Sequence, residues 1–160
     1  MQKVVVLVDV QNVYYTSRQA HRQNFDYNYF WSMCTEGREV IKAIAYTTNR
    51  GDEKQKQFQN ILRAIGFEVK LKPFIQRSDG SAKGDWDVGI TIDALEFSEE
   101  ADIVVLASGD GDFAILVDKI RNDRNAEVEV YGVEQLTADA LIQSASKFVP
   151  IEGELLLPRR

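Results

Sequence analysis

Two five-residue stretches of this chain, Val4-Val5-Val6-Leu7-Val8 and Ile103-Val104-Val105-Leu106-Ala107, are apolar without a break. A strand exposed on one face alternates apolar and polar residues, whereas an unbroken run needs cover on both faces. Such strands belong in the middle of a parallel sheet with helices above and below. Val40 to Tyr46 is a third, largely apolar strand candidate. Phe67-Glu68-Val69-Lys70-Leu71-Lys72 alternates strictly, and Val128-Glu129-Val130-Tyr131 tends the same way, which places these two near the sheet edges.

Helical periodicity fills the gaps between the strands. Phe58, Ile61, Leu62 and Ile65 keep the i, i+3, i+4, i+7 spacing, and Gly66 follows as a C-terminal cap. The same spacing recurs at Phe113, Leu116, Val117 and Ile120, and at Ala138, Leu141, Ile142 and Ala145. Residues 11–36 read as two helices, and Pro73 to Asp85 as a loop before a helix starting near Trp86. Strand and helix alternate, so the expectation is an α/β chain of three layers with a mostly parallel sheet. The burial gradient gives strand order 3-2-1-4-5, in which the winding reverses between the first and fourth strands. Ligands bind such sheets at the carboxyl ends of the strands at that reversal.

At 160 residues the chain fits one domain, expected over 1–150 with a tail at 151–160. No apolar run approaches the ~20 residues that span a bilayer. Met1-Gln2-Lys3-Val4 enters the first strand directly, without the pattern of a signal peptide. A single cysteine, Cys34, excludes an internal disulfide and fits a core thiol in a reducing cytoplasm. The net charge of −6 argues against a protein that coats DNA through dense Lys and Arg, because that binding rests on counterion release. It remains compatible with an enzyme that meets nucleic acid in one local groove.

Acids gather at the expected reversal. Asp9 follows the first strand at once, Asp110 follows the fourth, Asp112 lies two residues on, and Asp87 opens the helix leading into the fourth strand. Neighbouring strand ends lie ~5 Å apart, so Asp9 and Asp110 share one crevice, and Asp87 reaches it if its helix packs beside the fourth strand. Clustered carboxylates either hold raised pKa values or bind a cation, and oxygen-rich sets suit Mg²⁺ or Mn²⁺. Each residue alone has a plainer reading. Asp110 or Asp112 would serve to cap the helix at Phe113, Asn12 to cap the first helix, and Asp87 as an ordinary first-turn acid. Convergence of distant acids favours the metal. Asp93, six residues past Asp87, points some way round the helix and reads as a structural or outer-shell acid.

Three segments, taken in order, resemble a known family: Val8-Asp9-Val10-Gln11-Asn12, then Lys83-Gly84 with Asp87 through Leu95, then Ser108-Gly109-Asp110-Gly111-Asp112-Phe113. They are similar to the NYN domain, in its bacterial LabA-like branch of the PIN-like superfamily. The resemblance implies a PIN-like, Rossmann-like fold and metal-dependent RNA processing. It maps the family's aspartates onto Asp9, Asp87, Asp110 and Asp112, with Asn12 orienting the site. One residue more than usual stands between Lys83 and Asp87, and Asp85 competes for the metal. The extra acid of many PIN nucleases has only Asp52 or Glu53 as candidates.

For the RNA substrate, Arg77 and Lys83 lie on the loop beside the acids, and Lys70 and Lys72 share a face of an edge strand. Ser108 and Tyr14 complete the expected substrate contacts. Tyr14 and Tyr15 are placed to stack bases, though core packing is expected of at least one. Phe25, Tyr27, Tyr29, Phe30 and Trp31 read as core or interface. His21 is the only histidine, which rules out a histidine-pair ribonuclease mechanism. The Asp110-Gly111-Asp112 triplet also suits Toprim-like sites, but those need a glutamate at the end of the first strand. A receiver domain is disfavoured because no acidic pair follows that strand. The leading expectation is a ribonuclease that uses Mg²⁺ or Mn²⁺. The rival is a non-catalytic RNA-binding or regulatory module that keeps the acidic pocket. Leu155-Leu156-Leu157 is a candidate contact for a partner or a homodimer.

Overall fold

A computed structural model describes residues 1–73, 75, 76, 82, 83 and 85–159, with Pro73, Ile75, Gln76, Ala82 and Lys83 described by their backbone alone. The main sheet has six parallel strands: β1 (Gln2–Asp9), β2 (Arg38–Asn49), β3 (Glu68–Pro73), β6 (Ile103–Ala107), β7 (Glu127–Gly132) and β8 (Lys147–Pro150). Their order is β3-β2-β1-β6-β7-β8, the expected 3-2-1-4-5 with one more strand at the far edge. The segment read as a loop contains a short antiparallel pair, β4 (Ile75–Gln76) with β5 (Ala82–Lys83).

The unbroken apolar run of β1 faces two cores, as its pattern requires. Val4, Val6 and Val8 pack with α1 (Val10–His21), α2 (Tyr27–Thr35) and α3 (Glu53–Ile65) through Val13, Phe30, Cys34 and Leu62. Val5 and Leu7 pack on the other face with α4 (Asp87–Phe97), α5 (Ala114–Asp123) and α6 (Asp139–Ser144) through Ile90, Val117 and Leu141. Period-two alternation along one strand therefore sorts the chain into three layers. Among the described residues, no helix is long and apolar enough to cross a membrane.

Two expectations need correction. The alternation in Val128-Glu129-Val130-Tyr131 suggested an edge strand, yet β7 is flanked by β6 and β8, and Glu129 is buried. Its charge is satisfied by a two-pronged pair with Arg38, at 2.9 Å for each oxygen. A carboxylate held by a guanidinium fork is tolerated where a lone one is not. The leucines at the C-terminus were read as a partner contact, but Leu155 and Leu156 belong to this chain's own core. They are fastened by the Phe25–Leu156 bridge and by the Asp26 N–H donating to the Leu155 carbonyl at 2.8 Å.

Leu156→Ala should therefore cost about 3 kcal/mol of unfolding free energy, the usual range for emptying a leucine site in a core. Urea denaturation followed by circular dichroism measures it, and an unchanged midpoint would contradict the packing described.

Candidate metal centre

α4 starts where it does because Trp86 anchors it. The indole N–H donates to the Thr47 carbonyl at 2.8 Å, the ring tilts against Tyr46 with centroids 5.3 Å apart, and the Lys72 ammonium lies 4.7 Å from the ring centroid. Gly89 makes room for this, since a Cβ there would stand 2.5 Å from the Trp86 ring. The first turn of α4 is thus tied to the ends of β2 and β3, and Asp87 is the next residue.

The β1–β6 pairing positions a second group. Val8 lies opposite Ala107, so Asp9 and Ser108 follow as neighbours, and the Ser108 hydroxyl donates to Asp9 Oδ2 at 3.1 Å. Asp9 Oδ1 accepts from the Asn12 N–H at 3.4 Å, which makes Asp9 the cap of α1. Asn12 turns its own Oδ1 to the Gly109 N–H, at 2.8 Å, and so pins α1 to the loop that carries Asp110. Asp110 Oδ1 accepts from the Asp112 N–H at 2.9 Å and starts a 3-10 turn at Gly111–Phe113. The capping reading and the clustering reading of Asp110 hold together.

One carboxylate oxygen each from Asp87, Asp110 and Asp112 lies within 4.8 Å of the other two. Among the described residues, no Lys or Arg pairs with Asp9, Asp87, Asp110 or Asp112. Two of these acids hold their protons above the ordinary carboxylate range. Burial, a hydrogen bond to Asp110 and the charges of Asp110, Asp85 and Asp9 push Asp87 up to about 7. Asp9 is pushed up to about 6, chiefly by burial, against the lowering effect of its bonds to Asn12 and Ser108. Octahedral bonds near 2.1 Å place neighbouring ligand oxygens ~3 Å apart and opposite ones ~4.2 Å apart, so the trio would have to draw in by side-chain rotation to share Mg²⁺ or Mn²⁺. All-oxygen, anionic donors suit those ions rather than thiolate- or imidazole-seeking metals.

Asp9, expected among the ligands, falls outside this trio. Its charge reaches Asp87, while both of its oxygens are engaged at the ends of β1 and β6. Ser108 was expected to touch substrate, but it is fully buried and holds Asp9 and the Asp110 N–H instead. Tyr14 and Tyr15 are 51% and 49% exposed, so neither is the core residue that was expected of at least one. Asp93 is buried and structural, taking bonds from the Tyr46 hydroxyl at 2.8 Å and from Lys70 at 2.7 Å. Lys70 is thereby committed away from phosphate. Lys72 bonds the Asp85 carbonyl at 3.0 Å. Asp52 caps α3, and Glu53 faces Lys56; neither is in the trio. Arg77 lies outside the described residues, and Lys83 is described by its backbone alone. Sequence reasoning missed the Trp86 anchor and the Asn12–Gly109 bond; Gly89, one helical turn past the indole, was the available signal for the first.

Comparison with known proteins places the chain by family and fold. The sequence model of the NYN domain matches residues 3–152. The low amplitude and bright protein LabA of Synechococcus elongatus is 26% identical over 159 residues, covering 93% of this chain and 83% of LabA. A crystal structure of a protein of unknown function from Vibrio parahaemolyticus superposes with a TM-score of 0.93 at 57% identity, covering 98% of this chain and 96% of that one.

Unfolded aspartates release their protons near pH 3.8, while Asp9 and Asp87 in the metal-free fold do so near 6 and 7. The folded state holds more protons in that window, so these groups' contribution to stability falls as pH rises through it. Asp87→Asn should raise the metal-free melting temperature at pH 7.5 by about 3 °C, on the order of 1 kcal/mol once solvent screening is allowed for. It should also remove most of the stabilisation that saturating Mn²⁺ gives the wild type. Thermal scans at pH 5 and 7.5, with and without metal, read both effects.

Proposed function

The chain belongs to the NYN domain family, and on that premise we propose that it is a metal-dependent ribonuclease that hydrolyses RNA phosphodiester bonds. The observation that carries the reading is the trio Asp87, Asp110 and Asp112, drawn from two distant segments to within 4.8 Å and left without a cationic partner among the described residues. These three would hold Mg²⁺ or Mn²⁺. When bound, the ion supplies a lowered pKa for water and neutralisation of phosphate charge.

The protein's own contribution is placement. Trp86 fixes the backbone at Asp87, and Asn12 fixes the Gly109–Asp110 loop against α1, so the backbone brings the ligands together and only side-chain rotation is left. Asp87 carries a proton near neutrality and gives it up as the cation binds. Asp9, held by Ser108 and the Asn12 N–H, adds a fixed negative charge behind the trio. Water attacks phosphorus in line, the bond from phosphorus to the 3′-oxygen breaks, and that oxygen takes up a proton. The products carry a 5′-phosphate and a 3′-hydroxyl. Lys83 and Arg77, close in sequence to Asp87, would meet neighbouring phosphates, and Tyr14 a base.

The net charge of −6 favours a second reading, a regulatory RNA-binding module whose acidic pocket does not cut. Incubation with single-stranded and structured RNA in Mn²⁺ separates the two. On the ribonuclease reading, Asp110→Asn loses about 100-fold or more of kcat/KM. Cleavage that survives this substitution unchanged would rule the trio out, and metal binding without turnover on any RNA would favour the module. At limiting Mn²⁺, activity should fall as pH drops through 7 towards 6, because Asp87 takes up a proton in competition with the ion and Asp9 then loses the charge behind the trio. A pH profile repeated at saturating Mn²⁺ should shift to lower pH.

A further inference from the structure

A second recess opens beside the acids, on the opposite face of the sheet. It is a cavity of about 450 Å³ between α1 and α3, at the carboxyl end of β2. Its size lies within the range of sites for small ligands. Phe25, Tyr27 and Phe58 form its inner wall, and Tyr14 and Tyr15 stand at its mouth as an edge-to-face pair with centroids 5.4 Å apart. Gln55 ties the floor shut by donating to the Thr48 carbonyl and accepting from the Arg50 N–H.

Three features indicate what the recess receives. Half-exposed tyrosines are an unfavourable way to cover a surface, yet they offer flat faces on which any base can stack. The side-chain amides of Gln11 and Asn24 line the cavity and make no hydrogen bond among the described residues, so donors and acceptors are left for a base edge. Lys54 stands at the rim and has no ion pair among the described residues. The recess also lies close to the trio. Asp9 pairs in register with Tyr46, and Thr47 and Thr48, the next two residues of β2, line the cavity. The first turn of α1 separates the two sites, with Asp9 before it and Val10 and Gln11 on the cavity side.

We propose that this cavity binds one unpaired base of a single-stranded RNA whose backbone crosses the amino-terminal turn of α1 to the aspartate trio. The inference rests on the ribonuclease reading for its substrate class. It assigns the grip mainly to stacking and base-edge bonds, with charge in a minor part, in keeping with a net charge of −6.

The test uses the full chain carrying Asp110→Asn, so that RNA stays intact, with a labelled single-stranded hexaribonucleotide containing 2-aminopurine in Mn²⁺. Binding should quench the 2-aminopurine and show a shallow salt slope, near −1.4 on logarithmic axes for about two phosphates neutralised. Tyr14→Ala with Tyr15→Ala should weaken binding about tenfold or more, and Tyr15→Phe should restore most of it. Both tyrosines are half-exposed, so the alanine variants are expected to fold, and a thermal scan checks that. Unchanged affinity in the folded double variant overturns the proposal. So does adenosine monophosphate that competes at the affinity of the hexamer, since the recess would then be a free-nucleotide site. Wild-type cleavage together with tyrosine-independent binding removes the recess and leaves the ribonuclease. Tyrosine-dependent binding without cleavage by the wild type does the reverse.

Discussion

The parallel pairing of β1 with β6 is the constraint on which the rest depends. These strands are 99 residues apart at Asp9 and Ser108, and nothing local in the sequence would bring them together. Each is an unbroken apolar run, so each must be covered on both faces, and the centre of a layered sheet satisfies that at once. Chain reversal at this pair leaves two strand ends side by side, with a gap between the elements that leave them. Asp9, Asn12, Ser108 and Asp110 all derive their position from that gap, and Asp87 reaches it because α4 is the element that crosses over before β6.

Gathering uncompensated acids works against the fold, and the surroundings show how the strain is contained. Asp9 is bonded on both oxygens, Asp110 caps a turn, and Asp87 shares a hydrogen bond with Asp110. Elsewhere buried acids are neutralised outright: Glu129 by the Arg38 fork, Asp93 by Lys70 and the Tyr46 hydroxyl. The same chain therefore treats its acids in two ways. Where a counter-charge is built in, the acid is structural. Where none is supplied among the described residues, Asp87 and Asp9 hold their protons towards neutral pH, which is the condition an incoming cation relieves.

That contrast also explains how far the sequence could be read. Strand order was legible because apolar continuity reports burial directly, and the first-turn place of Asp87 was legible because α4 has a clear start. The β7 edge assignment failed because alternation reports the polarity of residue types, and Glu129 is polar but paired with a residue 91 positions away. β8 escaped notice because four residues ending in Pro150 carry too little pattern. At the site, chain order placed the acids in one crevice but could not give the direction of a carboxylate. Asp9 is turned to Ser108 and Asn12 by the pleat of β1, a fact of register rather than composition. Tyr14 and Tyr15 illustrate the same limit, since aromatic character alone favoured burial and helix phase decided otherwise.

The helix phase of α1 links the two recesses. Val13 falls on the buried face of α1, while Tyr14 and Tyr15 fall outward beside the cavity. Asn12, one step earlier, reaches back across the top of the sheet to Gly109. A single turn of helix thus carries a pin for the acidic loop and a mouth for the aromatic cavity, and its phase is fixed by Val10 and Val13 in the core. Any change that rotates α1 about its axis must disturb both recesses together. A substitution on the surface of either recess alters only one. Coupling between the two recesses then follows from core packing, with no moving part required.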